Sequence, residues 1–170
     1  MLHPDIVVKN SKISGKGLFA KRFIPKGTIV WILKGTKIYT KKDYKKFKPR
    51  YRSYIDRYAY QDEKENYVLA GDRAMYWNHS CNPNTGGYMK DDKDVALRDI
   101  KKGEEVTQDY GLLMTQNEKP IECHCGSLIC RGTIIRKKKS SKIIKDLYRK
   151  IREGFRYSNK VKQPMKKYLK

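Results

Sequence analysis

The sequence is poor in acidic side chains and lacks any long apolar run. It has 18 Asp and Glu against 40 Lys and Arg, a formal net charge of +22 over 170 residues. No stretch approaches the roughly 18 consecutive apolar residues of a membrane-spanning helix. The first residues also lack the basic and apolar regions of a secretory signal. We therefore expect a protein made in the cytosol, without a signal peptide and without membrane contact.

Cysteine is also scarce, with four residues in the chain. In a reducing compartment, so few thiols are more often metal ligands or free thiols than disulfides. Cys123, Cys125 and Cys130 lie close together in sequence, and Cys81 is remote from them. Three local thiolates and one distant thiolate make the tetrahedral set that a structural zinc prefers. Buried thiols are the alternative, as is His124 in place of one cysteine, but a residue between two ligands normally points away from the metal. We expect one zinc ion bound by all four cysteines.

The length suits one domain with an extension, because single cores typically run to about 100 to 200 residues. Residues 131–170 hold 16 Lys or Arg against 2 Asp or Glu, and so carry +14 of the net charge. Such a cationic arm is typical of contact with phosphate polyanions or acidic surfaces. We predict nucleic-acid contact through residues 136–170. The basic tail also allows a location in the nucleus or nucleoid.

Short apolar runs between glycine-containing turns predict a mostly β domain with small sheets. The expected strands cover residues 6–8, 17–20, 28–33, 95–97 and 105–107, and a hairpin joins residues 58–60 to 67–69.

Two segments have helical periodicity. In residues 40–58, aromatic side chains recur every three or four positions; Thr40 is a candidate cap and Pro49 is expected to split the helix. A second helix is expected after Ser140 or Ser141, and Gly154 is expected to weaken its end. Its predicted apolar stripe consists of Ile143, Ile144, Leu147, Ile151 and Phe155.

Three islands of sequence indicate chemistry. The first, Gly15-Lys16-Gly17, is by itself most often a plain turn, although such a turn also lets a backbone approach a ligand. The second, residues 76–84, combines Asn, His, Cys and Pro without strand or helix periodicity, which is typical of a functional loop. In the third, residues 103–111, Tyr110 stands where a strand runs into a glycine. Packing at a strand edge is the plainer interpretation of that tyrosine.

In this order, Gly-x-Gly, Asn-His-Ser-Cys-x-Pro-Asn and Gly-Glu-Glu-Val-Thr-x-Asp-Tyr resemble the SET-domain family of lysine methyltransferases over about residues 5–133. The resemblance implies a SET-domain fold of small β-sheets with a pseudo-knot. It divides the chain into a SET domain (5–111, with a helical insertion at about 36–58), a zinc-binding post-SET segment (112–133) and a basic, helical C-terminal extension (134–170).

The resemblance also implies roles for individual residues. S-adenosylmethionine would be held by Gly15, Lys16, Gly17, Asn78 and His79, with Tyr58 as a weaker candidate, and Tyr110 would be the catalytic tyrosine. The post-SET segment would hold one structural zinc.

Two positions depart from the family pattern. Gln108 stands where a Phe or Tyr commonly limits the number of methyl groups added, so we assign it to the substrate channel. Leu33 replaces a common tyrosine, so one channel wall must come from elsewhere, with Tyr58, Tyr60 and Tyr67 as candidates. The expected substrate is a lysine in a protein, such as a histone or another basic chromatin protein. The alternative is a zinc-stabilised nucleic-acid or chromatin-binding module without turnover.

Overall fold

The part of the chain that the structure describes is built from short strands, three α-helices and short 3-10 turns. The computed structural model describes residues 1–62, 64–88, 92–114, 119–136 and 141–168. The strands are β1 (Ile6–Asn10), β2 (Lys16–Ala20), β3 (Ile29–Ile32), β4 (Lys37–Tyr39), β5 (Ala59–Gln61), β6 (Tyr67–Leu69), β7 (Asn78–His79), β8 (Thr85–Gly86), β9 (Lys93–Ala96), β10 (Glu105–Gln108), β11 (Ile121–Glu122) and β12 (Thr133–Ile134). The α-helices are α1 (Lys41–Lys46), α2 (Pro49–Tyr58) and α3 (Lys142–Tyr157). The predicted mostly β class is confirmed.

The strands form four small sheets, ordered β1-β2-β10-β7, β3-β9-β8, β4-β6-β5 and β11-β12. In the first sheet β10 pairs antiparallel with β2 and parallel with β7, so that Thr107 lies opposite Asn78 and Gln108 opposite His79. This pairing joins the second and third sequence islands side by side. It also places the residues after β10 next to the Asn-His-Ser-Cys loop, as the implied pseudo-knot requires.

The helical insertion begins with a strand that the sequence analysis missed. β4 pairs with β6, and β5 with β6, so the predicted hairpin is confirmed and gains a third strand. Thr40 caps α1 in a reciprocal capping box with Asp43, as its position predicted. Pro49 splits the predicted helix as expected: α1 ends at Lys46 and Pro49 is the first residue of α2, because proline lacks the N–H that an interior position needs.

The basic extension packs onto the domain through α3. Ser141 caps the helix, with its hydroxyl accepting from the Ile144 amide. Leu147 and Ile151 are buried in a cluster with residues of β3 and β9. Ile143 was wrongly placed in the apolar stripe, because it is 42% exposed and lies off the buried face. No helix within the described ranges is long and apolar enough to cross a membrane.

Gly154 does not end α3, which continues to Tyr157. The residue is buried against β9, where a Cβ atom would lie 2.9 Å from Cγ1 of Val95 and 3.2 Å from the carbonyl oxygen of Ala96. The missing side chain therefore lets the helix approach the sheet closely, and this packing outweighs the weak helix propensity of glycine.

Candidate active site and metal centre

The Gly-x-Gly turn is anchored on Asn78. Nδ2 of Asn78 lies 3.2 Å from the carbonyl oxygen of Ser14, 3.1 Å from that of Lys16 and 2.8 Å from Oε1 of Glu105. A Cβ atom at Gly17 would lie 2.1 Å from the same Glu105 oxygen, so a larger residue there would displace this carboxylate from Asn78. The first and second islands therefore form one unit, with the Asn78 amide at its centre.

The ammonium group of Lys16 belongs to this cluster as well. It lies 5.6 Å from the ring centre of Tyr76, and the Tyr76 ring lies 5.5 Å from that of Tyr58. Tyr76 thus bridges the Gly-x-Gly turn and the end of α2. The structure brings together Gly15, Lys16, Gly17, Asn78 and, through Tyr76, Tyr58.

His79 is buried and positions the catalytic candidate. Its Nδ1 accepts from the backbone N–H of Tyr110 at 3.1 Å, and its Nε2 lies 3.3 Å from Sγ of Cys81. Burial lowers the pKa of His79 to about 4, although the nearby Asp109 carboxylate opposes this shift. With Nδ1 accepting, the neutral ring carries its proton on Nε2, facing the sulfur. His79 therefore acts as a fixed hydrogen-bonding group.

A salt bridge that the sequence analysis missed ties the cysteine loops to Tyr110. Arg131 donates to both carboxylate oxygens of Asp109, at 2.7 and 2.6 Å, and its backbone N–H points to Sγ of Cys81 at 3.3 Å. Asp109 also accepts from the Gly111 amide at 2.9 Å. The pKa of Arg131 is raised by this carboxylate. The sequence signal for this pair was its position, since Asp109 immediately precedes Tyr110 and Arg131 immediately follows Cys130.

The four cysteine sulfurs converge within 4.8 Å of one another. Sγ of Cys123 lies 3.7 Å from that of Cys81 and 3.6 Å from that of Cys130. A tetrahedral zinc with Zn–S bonds of about 2.3 Å holds its sulfurs roughly 3.8 Å apart, so the spacing fits the ion. His124 lies outside the cluster; its exposed ring nitrogen Nε2 is 3.6 Å from Oε1 of Glu122. The donor set is therefore four thiols from two remote segments.

A cavity of about 280 Å³ opens beside Tyr110. Gln108, Tyr58 and Tyr60 line it together with Tyr110. Tyr67 is not among the lining residues and stacks on Tyr44. Tyr58 and Tyr60 thus supply aromatic walls that Leu33 does not. The lining residues are Trp31, Leu33, Asp56, Arg57, Tyr58, Ala59, Tyr60, Ala70, Ala74, Met75, Trp77, Gly87, Tyr88, Asp92, Asp94, Gln108, Tyr110, Leu113, Met114 and Ile121.

The Tyr110 hydroxyl donates to the carbonyl oxygen of Trp77. Burial, and secondarily the carboxylate of Glu105, raises the pKa of Tyr110 to about 12, so the phenol stays protonated. Its ring is therefore held at both ends: by His79 at the backbone and by Trp77 at the hydroxyl. A protonated, fixed phenol can orient a polar group in the cavity.

Carboxylates in the cavity lining were not predicted. Asp94 lies in β9, and burial raises its pKa to about 7, although the nearby Gln108 side chain opposes this shift. Asp56 and Asp92 line the same space. The available signal was an acidic residue directly before the apolar run Val95-Ala96-Leu97, but strand periodicity does not reveal which cavity such a residue faces.

Comparison with known proteins agrees with this geometry. A model of the SET domain family matches residues 15–111. Histone-lysine N-methyltransferase 2D of Homo sapiens is 32% identical over 136 residues, and Histone-lysine N-methyltransferase trr of Drosophila melanogaster is 33% identical over 136 residues. Each alignment covers 75% of this chain, but only 2% and 6% of those relatives. The chain therefore corresponds to a small part of each.

Two further matches extend the comparison. The Cryptococcus neoformans histone-lysine N-methyltransferase named as H3 lysine-36 specific is 31% identical over 144 residues, covering 76% of this chain and 16% of that protein. Among solved structures, the methyltransferase domain of human SETMAR superposes with a TM-score of 0.54 at 20% identity. That superposition covers 79% of this chain and 58% of that one. At this identity the structural match bears on the fold alone.

Proposed function

The chain belongs to the SET domain family, and from this premise we propose that it methylates a lysine side chain of a protein, with S-adenosylmethionine as methyl donor. The fold is therefore the predicted SET fold. The observation that carries the proposal is the position of Tyr110. It lines a cavity that reaches Tyr58, and Tyr58 is linked through Tyr76 to the cluster of Lys16 and Asn78.

The donor set around the Gly-x-Gly turn suits S-adenosylmethionine. Gly15, Lys16 and Gly17 would meet the methionine part, where the exposed Lys16 ammonium can pair with a carboxylate. Asn78 and His79 would hold the amine and the adenine ring through backbone groups, and Tyr58 would be a further contact. The bound cofactor supplies a methyl group on a positively charged sulfur. These residue assignments are proposals.

The residues of this chain then act by positioning the target lysine amine. The target amine must lose its proton, because a free lysine has a pKa of about 10.4 and the ammonium has no lone pair. The Tyr110 phenol, still protonated at neutral pH, orients that amine while the tyrosine walls limit its motion. Positioning of this kind can supply about 7 to 11 kcal/mol of a reaction barrier.

A structural zinc bound by Cys81, Cys123, Cys125 and Cys130 would complete the site. The sulfur spacing supports this proposal, and the neighbouring contacts explain its purpose. Cys81 lies two residues after His79, and Arg131, one residue after Cys130, is bonded to Asp109. Zinc would therefore fix the cofactor loop, the catalytic tyrosine and the post-SET segment relative to one another.

We propose a lysine in a histone or another chromatin protein as the target, and the nucleus as the place of action. The named relatives are histone-lysine methyltransferases, and this supports the substrate class. A cationic enzyme repels a cationic histone tail, so the basic helix α3 would bind DNA, RNA or an acidic nucleosome surface beside the target. A binding module without turnover is not favoured, since Tyr110 lines the cavity and Asn78 and His79 are both present.

The decisive experiment is a methyl-transfer screen with radiolabelled S-adenosylmethionine. Core histones, nucleosomes and a lysate of the host cell serve as acceptors, with Tyr110→Phe as the matched inactive variant. We expect label in a basic chromatin protein with the wild type and little with the variant. Cofactor binding by calorimetry without transfer to any acceptor would favour the binding module instead.

A further inference from the structure

The cavity beside Tyr110 is acidic, although the chain as a whole carries +22. Asp56, Asp92 and Asp94 line it, and Arg57 is the one cationic side chain among its described lining residues. An acidic pocket in a strongly basic protein selects for a cation at that place, because nearby opposite charges favour the charged form of a guest. The ammonium group of a lysine is such a cation.

Asp94 is the least exposed of the three carboxylates, because it is half-buried whereas Asp56 and Asp92 are exposed. It lies on β9 opposite Trp31 and lines the cavity together with Gln108. A Cβ atom at Gly87 would lie 2.2 Å from the carbonyl oxygen of Lys93 and 2.6 Å from Oδ1 of Asp94, so the glycine leaves room for both the β9 backbone and the carboxylate. Residues Val95 and Ala96, which follow in the same strand, are fully buried in the core and hold the backbone in place.

We propose that Asp94 binds the ammonium group of the substrate lysine and accepts its proton, a role that rests on the proposed function. In this step an N–H bond breaks and an O–H bond forms on the Asp94 carboxylate. The electron pair of the broken bond stays on the lysine nitrogen as the lone pair that methyl transfer needs. The proton on Asp94 then passes to solvent through the open end of the cavity.

The protonation chemistry of the cavity suits this role. An aspartate with its ordinary pKa would be a poor base for an ammonium of pKa about 10.4. Burial raises the pKa of Asp94 to about 7, which brings it closer to the pKa of the lysine ammonium group. Burial, and secondarily this same carboxylate, raises the pKa of Tyr60. The other titratable or charged groups that line the cavity are Asp56, Arg57, Tyr58, Tyr88, Asp92 and Tyr110.

The first test needs no substrate protein. The full chain with its zinc is labelled with ¹³C at the aspartate carboxyl carbons, and butylammonium serves as the lysine side-chain mimic in NMR titrations from pH 5 to 9. We expect the Asp94 signal to titrate near pH 7 and to move on adding butylammonium at pH 8 but not at pH 5. Asp94→Asn should abolish the binding, while Asp146→Asn, on the outer surface of α3, should leave it unchanged.

The second test uses methyl transfer to core histones as the acceptor probe. Asp94→Asn should lower kcat/KM at pH 8 by about 100-fold and flatten its rise between pH 6 and 8, whereas a merely structural role would lower activity equally at every pH. Butylammonium bound at Asp94 without any methyl transfer would support the cation site and contradict the proposed function. An Asp94 signal indifferent to butylammonium, or an unchanged pH profile in Asp94→Asn, would overturn the proposal.

Discussion

At the scale of single residues, burial sets three different protonation states within one site. The pKa of His79 falls to about 4, that of Asp94 rises to about 7 and that of Tyr110 rises to about 12. At neutral pH the imidazole is neutral and the phenol keeps its proton. The carboxyl group alone titrates there, so it is the one of these three groups able to exchange a proton under working conditions.

Replacing Tyr110 by Phe tests the proposed role of the phenol. Only the hydroxyl is lost, so the ring and the His79 contact to the backbone remain. We expect methyl transfer to fall by about 100-fold or more while the affinity for S-adenosylmethionine, measured by calorimetry, changes little. Wild-type turnover in this variant would remove Tyr110 from the mechanism.

Gln108 is expected to permit repeated methylation. Its amide is smaller than the aromatic ring common in the family, which leaves room for a methylated amine to turn. A water held by the amide would have the opposite effect. We expect di- or trimethyl-lysine from the wild type and fewer methyl groups from Gln108→Phe, by mass spectrometry of the product. Monomethyl-lysine alone after long incubation, unchanged by the substitution, would contradict this.

At the scale of elements, the sequence predicted what depends on local patterns. Strands β1, β2, β3, β9 and β10 were located to within about two residues, as were the Thr40 cap and the start of α3. Strands β4, β7, β8, β11 and β12 were missed because they have only two or three residues each. Such segments are stabilised by partners remote in sequence, and their own periodicity is too short to detect.

The residues of the candidate site also fall into two groups, those that a sequence motif indicates and those that depend on the fold. Tyr110, Asn78 and the cysteines could be named as candidates from motifs and spacing in the sequence, and their roles stay predictions. Asp94 and the Asp109–Arg131 pair were missed, because their importance depends on which strands pair and which way a side chain faces. Tyr58 and Tyr60 were named among three tyrosines, and only the fold separates them from Tyr67.

Gly154→Ala measures how closely α3 approaches β9. Alanine would favour the helix by about 1 kcal/mol, but its Cβ would lie 2.9 Å from the stiff Val95 side chain, and overpacking costs about 1 to 3 kcal/mol. We therefore expect a net loss of about 1 kcal/mol in the free energy of unfolding, from denaturant titration. Arg152→Ala, on the exposed face, should change it by less than about 0.5 kcal/mol. A stabilised Gly154→Ala would show that the helix can shift.

At the scale of the whole molecule, we expect the proposed active site to form only when the four cysteines hold a metal ion. We expect one zinc per chain by metal analysis, and loss of both metal and activity in Cys125→Ser or after chelation, because structural zinc can contribute on the order of 10 kcal/mol. Hydrogen exchange should then report opening beyond Tyr110. Ser127→Ala, in the same loop, is the matched control. Active protein that contains no metal would refute the assignment.

The outer face of α3 is the proposed nucleic-acid contact. Its exposed cations recur every three or four residues, opposite the buried face: Lys142, Lys145, Arg149, Arg152 and Arg156. Arg149 is paired with Asp146 and Glu153. Changing the other four to Gln should weaken binding to duplex DNA and reduce the slope of log K against log salt by up to about 4. The same change at the four lysines of α1 alters the net charge equally. If it weakens DNA binding as much as the change in α3, then binding depends on net charge and not on the outer face of α3.

If the cysteine cluster holds the proposed zinc, we expect it to set the point in synthesis at which the proposed site can form. Cys81 is 42 residues from Cys123, and the salt bridge from Arg131 reaches back 22 residues to Asp109. When the Gly-x-Gly turn, the Asn-His loop and Tyr110 have left the ribosome, every proposed catalytic group is already outside it. The three cysteines and Arg131 that would hold these groups together are not yet outside. Closing a loop of this length costs only slightly more than closing a shorter one, so the delay carries little energetic penalty. We therefore expect the proposed site to be complete only after residue 131 has left the ribosome.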